Sequence, residues 1–366
     1  MTDQDYMKLA LQLAKRGLGK TSPNPMVGAV LVKSGRIIAT GYHHKAGQAH
    51  AEAIALASVG KKAKGATLYV NLEPCCHMGK RTPPCTKAII GSGIKRMVAA
   101  MKDPNPKVAG RGIRELAGAG IKTITGILGP EAKRLNEAYI KWITTGRPFV
   151  TMKVASSLDG KIASAMGESR WISGKKSRAL VHQLRNESDA VMVGIGTILK
   201  DDPRLTARLA GKKGCDPIRI IVDSRLRIPL ESRILHLDSA AKTILVATKQ
   251  APNDKIREIE KLGAQVLVAE GSNSRVDLAA LMDELGRIGI TNLLLEGGSE
   301  LNASMLCDRL VDKVIFFVAP QIIGGQDAKS AVGGQAVRSL SQAFNLSNLQ
   351  VSRLGKDLFI RGYLVY

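Results

Sequence analysis

Apolar positions along the chain recur with two periods, helical and alternating, that trade places repeatedly. Met7, Leu11 and Ala14 share one helical face, with Asp3, Asp5 and Lys8 interspersed, which predicts an amphipathic helix over 3–17. Short β-rich runs predict strands at 27–32, 37–41, 67–72 and 97–101, with Gly35 at the first turn. Helices are expected to start near His50 and Cys85, and a helix–strand pair fills 111–125. Pro130 suits the first turn of a helix running to 145. Such alternation implies a mixed α/β sheet with helices on its faces. The stretch Thr144-Thr145-Gly146-Arg147-Pro148 closes the series, so the domains are expected at 1–146 and 147–366. A second alternating series predicts strands at 149–155, 190–193, 218–222, 243–247, 265–268, 292–295, 314–318 and 358–365. Two domains also follow from length, since 366 residues exceed the roughly 250–300 that one core serves.

Composition narrows the partners. Lys and Arg number 54 against 31 Asp and Glu, a net charge of +23, which suits anionic ligands: nucleic acid, or phosphorylated substrates and cofactors. The basic residues lie in short clusters such as Lys61-Lys62, and aromatics are only 4%, which argues against a stacking platform for nucleic acid. The cysteines number five, three of them crowded together, which favours a reducing compartment over a disulfide framework. There is no signal-peptide pattern and no apolar run near the roughly 20 residues a bilayer requires. A soluble, cytoplasmic protein with no membrane partner is expected.

The crowded cysteines belong to a split cluster: His50-Ala51-Glu52, then Pro74-Cys75-Cys76 and Cys85. One histidine, two cysteines and an adjacent carboxylate are the parts of a zinc site with one open position. Zinc so held lowers the pKa of a water from 15.7 to roughly 7, and a neighbouring glutamate can shuttle its proton. The pattern is a stretched form of H-x-E…P-C-x-x-C, the signature of nucleobase deaminases. Two pairings compete, Cys75 with Cys85 or Cys76 with Cys85. His50 and Glu52, two residues apart, would diverge by about 200° on an ideal helix. They reach one site only if it lies over the first turn. Lys80 and Arg81 suit a substrate phosphate, and His77 either contacts substrate or caps the loop.

Taken together, TSPNPMVGAV, HAE, LEPCCHMGKRTPPC and DPNPKVAGRG resemble the N-terminal half of the bifunctional riboflavin-biosynthesis deaminase/reductase family. The resemblance implies a cytidine-deaminase-like three-layer α/β domain. It makes His50, Cys75 and Cys85 the Zn2+ ligands, with one residue inserted in the loop between the cysteines, and Glu52 the catalytic proton shuttle. It places Asn24, His43, His77 and Lys80 at the substrate, and leaves open whether Lys80 or Arg81 faces its phosphate.

The second half says less on its own residues. Leu293–Ser299 reads as a strand, a glycine turn and a helix start, and amides at such a turn can cradle a phosphate. Val193-Gly194-Ile195-Gly196-Thr197 is a second strand-then-glycine turn, but Leu199 stands where a dinucleotide fingerprint needs its third glycine. VASSLDGKIA, GESRWISG, GIGTILKDDPRLTAR and LLLEGGSELNAS are similar to the reductase half of the same family. That implies a dihydrofolate-reductase-like α/β fold, with NADPH contacted by Ala155, Trp171, Thr197, Asp201, Ser224, Gly298 and Ser299. Ser169, Arg185, Leu205, Arg208 and Glu296 would hold the substrate. The implied reactions are deamination of a phosphorylated ribosylaminopyrimidine and reduction of its ribosyl group, in a homo-oligomer (dimer or tetramer) that binds no nucleic acid. The alternatives are a nucleic-acid base deaminase with a basic RNA-binding C-terminal half, and a zinc staple closed by Cys76 as a fourth ligand.

Overall fold

The computed structural model describes every residue except 78–82, 170, 212–213, 270, 272–274 and 335–338. It divides into two compact units, Met1–Arg147 and Pro148–Tyr366.

In the first unit, helix α1 (Asp3–Ala14) opens on Thr2, whose side chain and that of Asp5 form a reciprocal capping box. Strands β1 (Gly28–Lys33) and β2 (Arg36–Tyr42) form a hairpin, followed by α2 (Ala51–Val59), β3 (Thr67–Val70), α3 (Cys85–Gly91), β4 (Arg96–Ala99), α4 (Arg111–Gly118) and β5 (Lys122–Thr125). The sheet runs β2-β1-β3-β4-β5; β1 is antiparallel to both neighbours and β3, β4 and β5 are parallel. Its strands are apolar on both faces. Ala29, Leu31, Leu68, Val70, Met97 and Ala99 pack with α2, α3 and α4, whereas Val30, Val32, Tyr69 and Val98 pack with α1 and Ala132 and Tyr139 from the end of the unit. The result is three layers.

The helix expected to run to 145 is two helices, α5 (Gly129–Leu135) and α6 (Glu137–Thr145). The break is at Asn136, whose buried amide accepts from the Met26 N–H at 2.8 Å and donates to the Met26 carbonyl at 3.0 Å. Asn71 likewise accepts from Gly28 N and donates to the Met26 carbonyl. The two asparagines satisfy the backbone of a segment that cannot yet pair in the sheet, and so fix the Pro23-Asn24-Pro25 turn.

The second unit contains β6 (Phe149–Ser156), α7 (Lys175–Glu187), β7 (Ala190–Gly194), α8 (Ile195–Asp201), β8 (Ile218–Val222), β9 (Thr243–Ala247), α9 (Asn253–Lys261), β10 (Gln265–Val268), α10 (Leu278–Arg287), β11 (Asn292–Leu295), α11 (Ser299–Cys307), β12 (Lys313–Val318), β13 (Asn345–Leu354) and β14 (Asp357–Val365). Its sheet has nine strands in the order β10-β9-β8-β7-β11-β6-β12-β14-β13, parallel from β10 to β12 and closed by an antiparallel hairpin. Helices α10 and α11 cover one face, α7, α8 and α9 the other. Strand β13 was not foreseen. It is an exposed edge strand with no burial alternation to betray it.

Two candidate active sites

His50 is the N-cap of α2, with extended backbone (φ −75°, ψ 161°), so it stands outside the helical wheel that would have turned it away from Glu52. Its Nδ1 lies 3.2 Å from Cys85 Sγ and 3.5 Å from Cys75 Sγ. Cys85 opens α3, and its N–H donates to Cys75 Sγ at 3.5 Å. The donor atoms of His50, Cys75 and Cys85 lie within 4.8 Å of one another. Cys76, half-buried, is outside this group. Glu52 sits in the first turn of α2, 3% exposed, and its Oε2 is buried without a hydrogen-bond partner. Burial pushes its carboxyl pKa up. One imidazole nitrogen and two sulfurs match zinc's preferred donors, and an orphaned buried carboxylate oxygen beside them awaits a polar partner. The residues fit the metal.

These groups open into a cavity of about 560 Å³. Of the expected substrate residues, Asn24 and His43 line it together with His50, Glu52 and Cys75. His43 Nδ1 is 3.0 Å from the Ala49 carbonyl and must donate to it. That leaves Nε2 as the acceptor facing Asn24 Nδ2 at 3.1 Å. Burial holds the His43 pKa below its ordinary value, in keeping with this neutral tautomer. His77 is half-buried and does not line the cavity; Lys80 and Arg81 lie outside the described residues.

Several lining residues escaped the sequence reading. Glu73, 3% exposed, accepts the N–H groups of Asp103 (3.1 Å), Gly110 (2.9 Å) and Ile113 (3.1 Å), pinning the segment after β4 beside Cys75. Asp103 accepts in turn from the Tyr139 hydroxyl at 3.0 Å, and both face the cavity. The signal available was an acidic residue between a buried strand and a ligand cysteine, where solvation is denied.

The second unit holds a cavity of about 680 Å³ outside the carboxyl ends of β6, β11, β7 and β8, where open parallel sheets bind ligands. Ala155, Ser169, Arg185, Thr197, Asp201, Leu205, Ser224, Glu296, Gly298 and Ser299 all line it. Trp171 and Arg208 do not. Trp171 is 68% exposed, with the Arg178 guanidinium 4.3 Å from its ring centroid. Arg208 instead meets His182 at 3.3 Å.

The Arg185 side chain is largely buried. Its Nε and Nη2 meet the Glu296 carboxylate at 2.5 and 3.0 Å, and Lys153 Nζ reaches the same group at 3.4 Å. Burial alone would raise the Glu296 pKa, but the two cations override it and hold the carboxyl at about 2. Lys153, another missed lining residue, is the one charged residue of β6. Gly298 caps α11 with extended backbone, leaving that helix's first amides directed at the cavity. No helix among the described residues is long and apolar enough to cross a membrane.

Comparison with known proteins finds a match for each unit. Residues 1–101 match the cytidine and deoxycytidylate deaminase zinc-binding region, and residues 148–360 match the RibD C-terminal domain. The chain is 45% identical over 360 residues to the riboflavin biosynthesis protein RibD of Actinobacillus pleuropneumoniae, covering 98% of this chain and 95% of that one. It is 45% identical over 358 residues to the RibD of Aquifex aeolicus, covering 98% and 97%. Among solved structures, Acinetobacter baumannii RibD superposes with TM-score 0.89 at 38% identity, covering 100% of this chain and 99% of that one. A Thermotoga maritima diaminohydroxyphosphoribosylaminopyrimidine deaminase/5-amino-6-(5-phosphoribosylamino)uracil reductase gives 0.85 at 37%, covering 99% of both. Fold and sites thus define a two-domain enzyme, a zinc-dependent deaminase joined to an NADPH-dependent reductase. The chain belongs to the RibD family of riboflavin biosynthesis proteins. The RNA-binding alternative is not supported, because the C-terminal half matches a reductase domain instead.

Proposed function

We propose that the N-terminal cavity hydrolytically deaminates 2,5-diamino-6-(5-phosphoribosylamino)pyrimidinone and that the C-terminal cavity reduces the ribosyl group of the product to ribityl. The deaminase domain would occupy 1–146 and the reductase domain 147–366. The observation that carries the first step is the convergence of His50, Cys75 and Cys85 beside a buried carboxylate with one unpartnered oxygen.

Those three residues would hold zinc, which supplies when bound a Lewis acid that makes water acidic near pH 7. Glu52 takes the proton of the attacking water and returns it to the departing amine, so that the C–N bond breaks, ammonia leaves and a carbonyl remains. Asn24 and His43 hold the ring, the fixed tautomer of His43 accepting from the Asn24 amide and so orienting it. In the second cavity Ser169, Arg185, Leu205 and Glu296 hold the substrate, the Arg185 guanidinium suiting its phosphate. Ala155, Thr197, Asp201, Ser224, Gly298 and Ser299 hold NADPH, the source of hydride for the sugar carbon. Positioning is most of what the protein contributes there.

We also infer a cytoplasmic homo-oligomer. The edge hairpin exposes Leu346, Leu349, Val351 and Val365 along β13 and β14, an apolar edge that a second copy would cover. Light scattering on the purified protein checks this. The two activities are tested together by measuring ammonia release and NADPH oxidation before and after chelation. Chelation should abolish ammonia release but leave reduction of the pre-deaminated substrate. Full ammonia release by metal-stripped enzyme overturns the assignment.

A further inference from the structure

We propose that His182 is a positioning residue for the reductase, its neutral imidazole tying the segment 205–208 to Arg185 and so fixing the wall against which the substrate is held. The inference rests on the reading of the larger cavity as the reductase site. His182 and Arg185 lie three residues apart on α7 and so share a face. Both reach the Thr206 carbonyl, Arg185 through Nη1 at 3.2 Å and His182 through Nδ1 at 3.1 Å. The residue before Thr206 is Leu205, which lines the cavity and is buried. Its φ of +52° is a conformation that leucine rarely adopts. Such a backbone persists only where its neighbours hold it. Here the holders are the two donors on the Thr206 carbonyl and Asp216, which accepts the Ala207 N–H at 2.8 Å.

The other ring nitrogen reaches a second arginine. His182 Nε2 is 3.3 Å from Arg208 Nη2, and Nδ1 also stands 3.3 Å from the Arg208 N–H. A guanidinium can only donate. With its proton on Nδ1, the imidazole donates to the Thr206 carbonyl and accepts from the Arg208 side chain. The opposite tautomer serves the Arg208 N–H alone, so the first arrangement prevails. It needs a neutral ring. Arg185 from α7 and Arg208 from the segment face that ring, against Glu296 after β11, whose charge is already shared between Arg185 and Lys153. Burial, then those two arginines, hold the His182 pKa below its ordinary value. Protonation at Nε2 removes the acceptor and sets a cation against Arg208. The tie is thus intact above pH 6.5, the ordinary histidine value, and fails as pH falls below it.

Steady-state NADPH oxidation by the full chain on pre-deaminated substrate, followed from about pH 5 to 8, tests this. At the alkaline end His182→Ala should raise KM for that substrate about tenfold, the scale of one hydrogen bond to a charged group. Its kcat and its KM for NADPH should stay within about twofold of wild type, the pattern of lost substrate binding. His182→Asn keeps a donor for the Thr206 carbonyl but reaches no further, so its KM should fall between. It also serves should the alanine variant fail to fold, as judged by melting. Gln183→Ala, on the same helix but bonded to Glu187, should match wild type. As pH falls below 6.5, the wild-type KM should climb more steeply than that of either His182 variant. The substrate phosphate, with its own pKa of about 6, titrates alike in all of them. An unchanged KM in both His182 variants, parallel acid-side profiles, or an equal loss in kcat and in NADPH affinity overturns the inference. Absence of NADPH oxidation by the wild-type enzyme refutes the reading of the cavity, and the inference with it.

Discussion

Replacing Glu52 by glutamine removes a proton acceptor while preserving shape. The side chain is 3% exposed at the first turn of α2, its Oε2 has no hydrogen-bond partner, and it lies beside the three converging donors. Glutamine fills the same volume, so no cavity forms; the added buried N–H2 costs at most about 1–3 kcal/mol if unpaired. Positioned general acid–base groups contribute about 10²- to 10⁴-fold, so ammonia release should fall by that factor, about 2.7–5.4 kcal/mol of barrier. Glu52 contributes none of the three donor atoms, so zinc content should stay at wild-type stoichiometry. The assay couples ammonia release to glutamate dehydrogenase, with metal measured by mass spectrometry. NADPH oxidation on pre-deaminated substrate is the internal control and should be unchanged. Deamination within tenfold of wild type, with zinc retained, would refute the proton-shuttle role. Loss of zinc in the variant would instead mean that Glu52 is part of the ligand set.

Other perturbations separate position from chemistry. Cys75→Ser should lose zinc and ammonia release while Cys76→Ser keeps both, because only Cys75 shares the donor cluster; metal analysis of the two variants decides it. Glu296→Gln breaks a buried pair with Arg185 and Lys153 and should destabilise the second unit by about 3–5 kcal/mol, read by chemical denaturation. Its folded pKa of about 2 lies below the ordinary 4.5, so the carboxylate's contribution is complete above pH 4.5 and vanishes as pH falls toward 2. The stability gap between wild type and variant should therefore be flat near neutrality and close over that acid range. Gly41→Ala would drive a methyl group into the Ala51 carbonyl and the start of α2, so melting should fall by the equivalent of about 1–3 kcal/mol and zinc affinity with it.

The α/β alternation and the parallel strands were legible because buried strands of this kind are short, β-rich and apolar between turn signals. Strands at 218–222, 243–247, 265–268 and 292–295 coincide with the observed elements. What escaped is whatever is decided by a distant partner. Nothing local breaks the helix at Asn136; the break is stabilised by Met26, remote in sequence. Strand β13 borrows its identity from β14 and is exposed along most of its length, so no alternation records it.

The same distinction runs through the sites. His50, Glu52, Cys75 and Cys85 stand out because their chemistry is rare at such spacing, yet their convergence depends on His50 stepping outside the helix as its cap, a backbone choice invisible in the letters. Glu73 and Lys153 carry ordinary side chains and become significant only through what folds around them. Three amides close on Glu73, and a buried carboxylate from another strand end meets Lys153. A charged residue in an apolar run is costly unless paired, so each marks a place where the fold returns a partner. Trp171 is the converse: its motif suggests cofactor contact, but the ring lies exposed against Arg178, off the cavity wall. A motif identifies residues whose chemistry suits a ligand; burial and partnership determine which of them the fold brings to its wall.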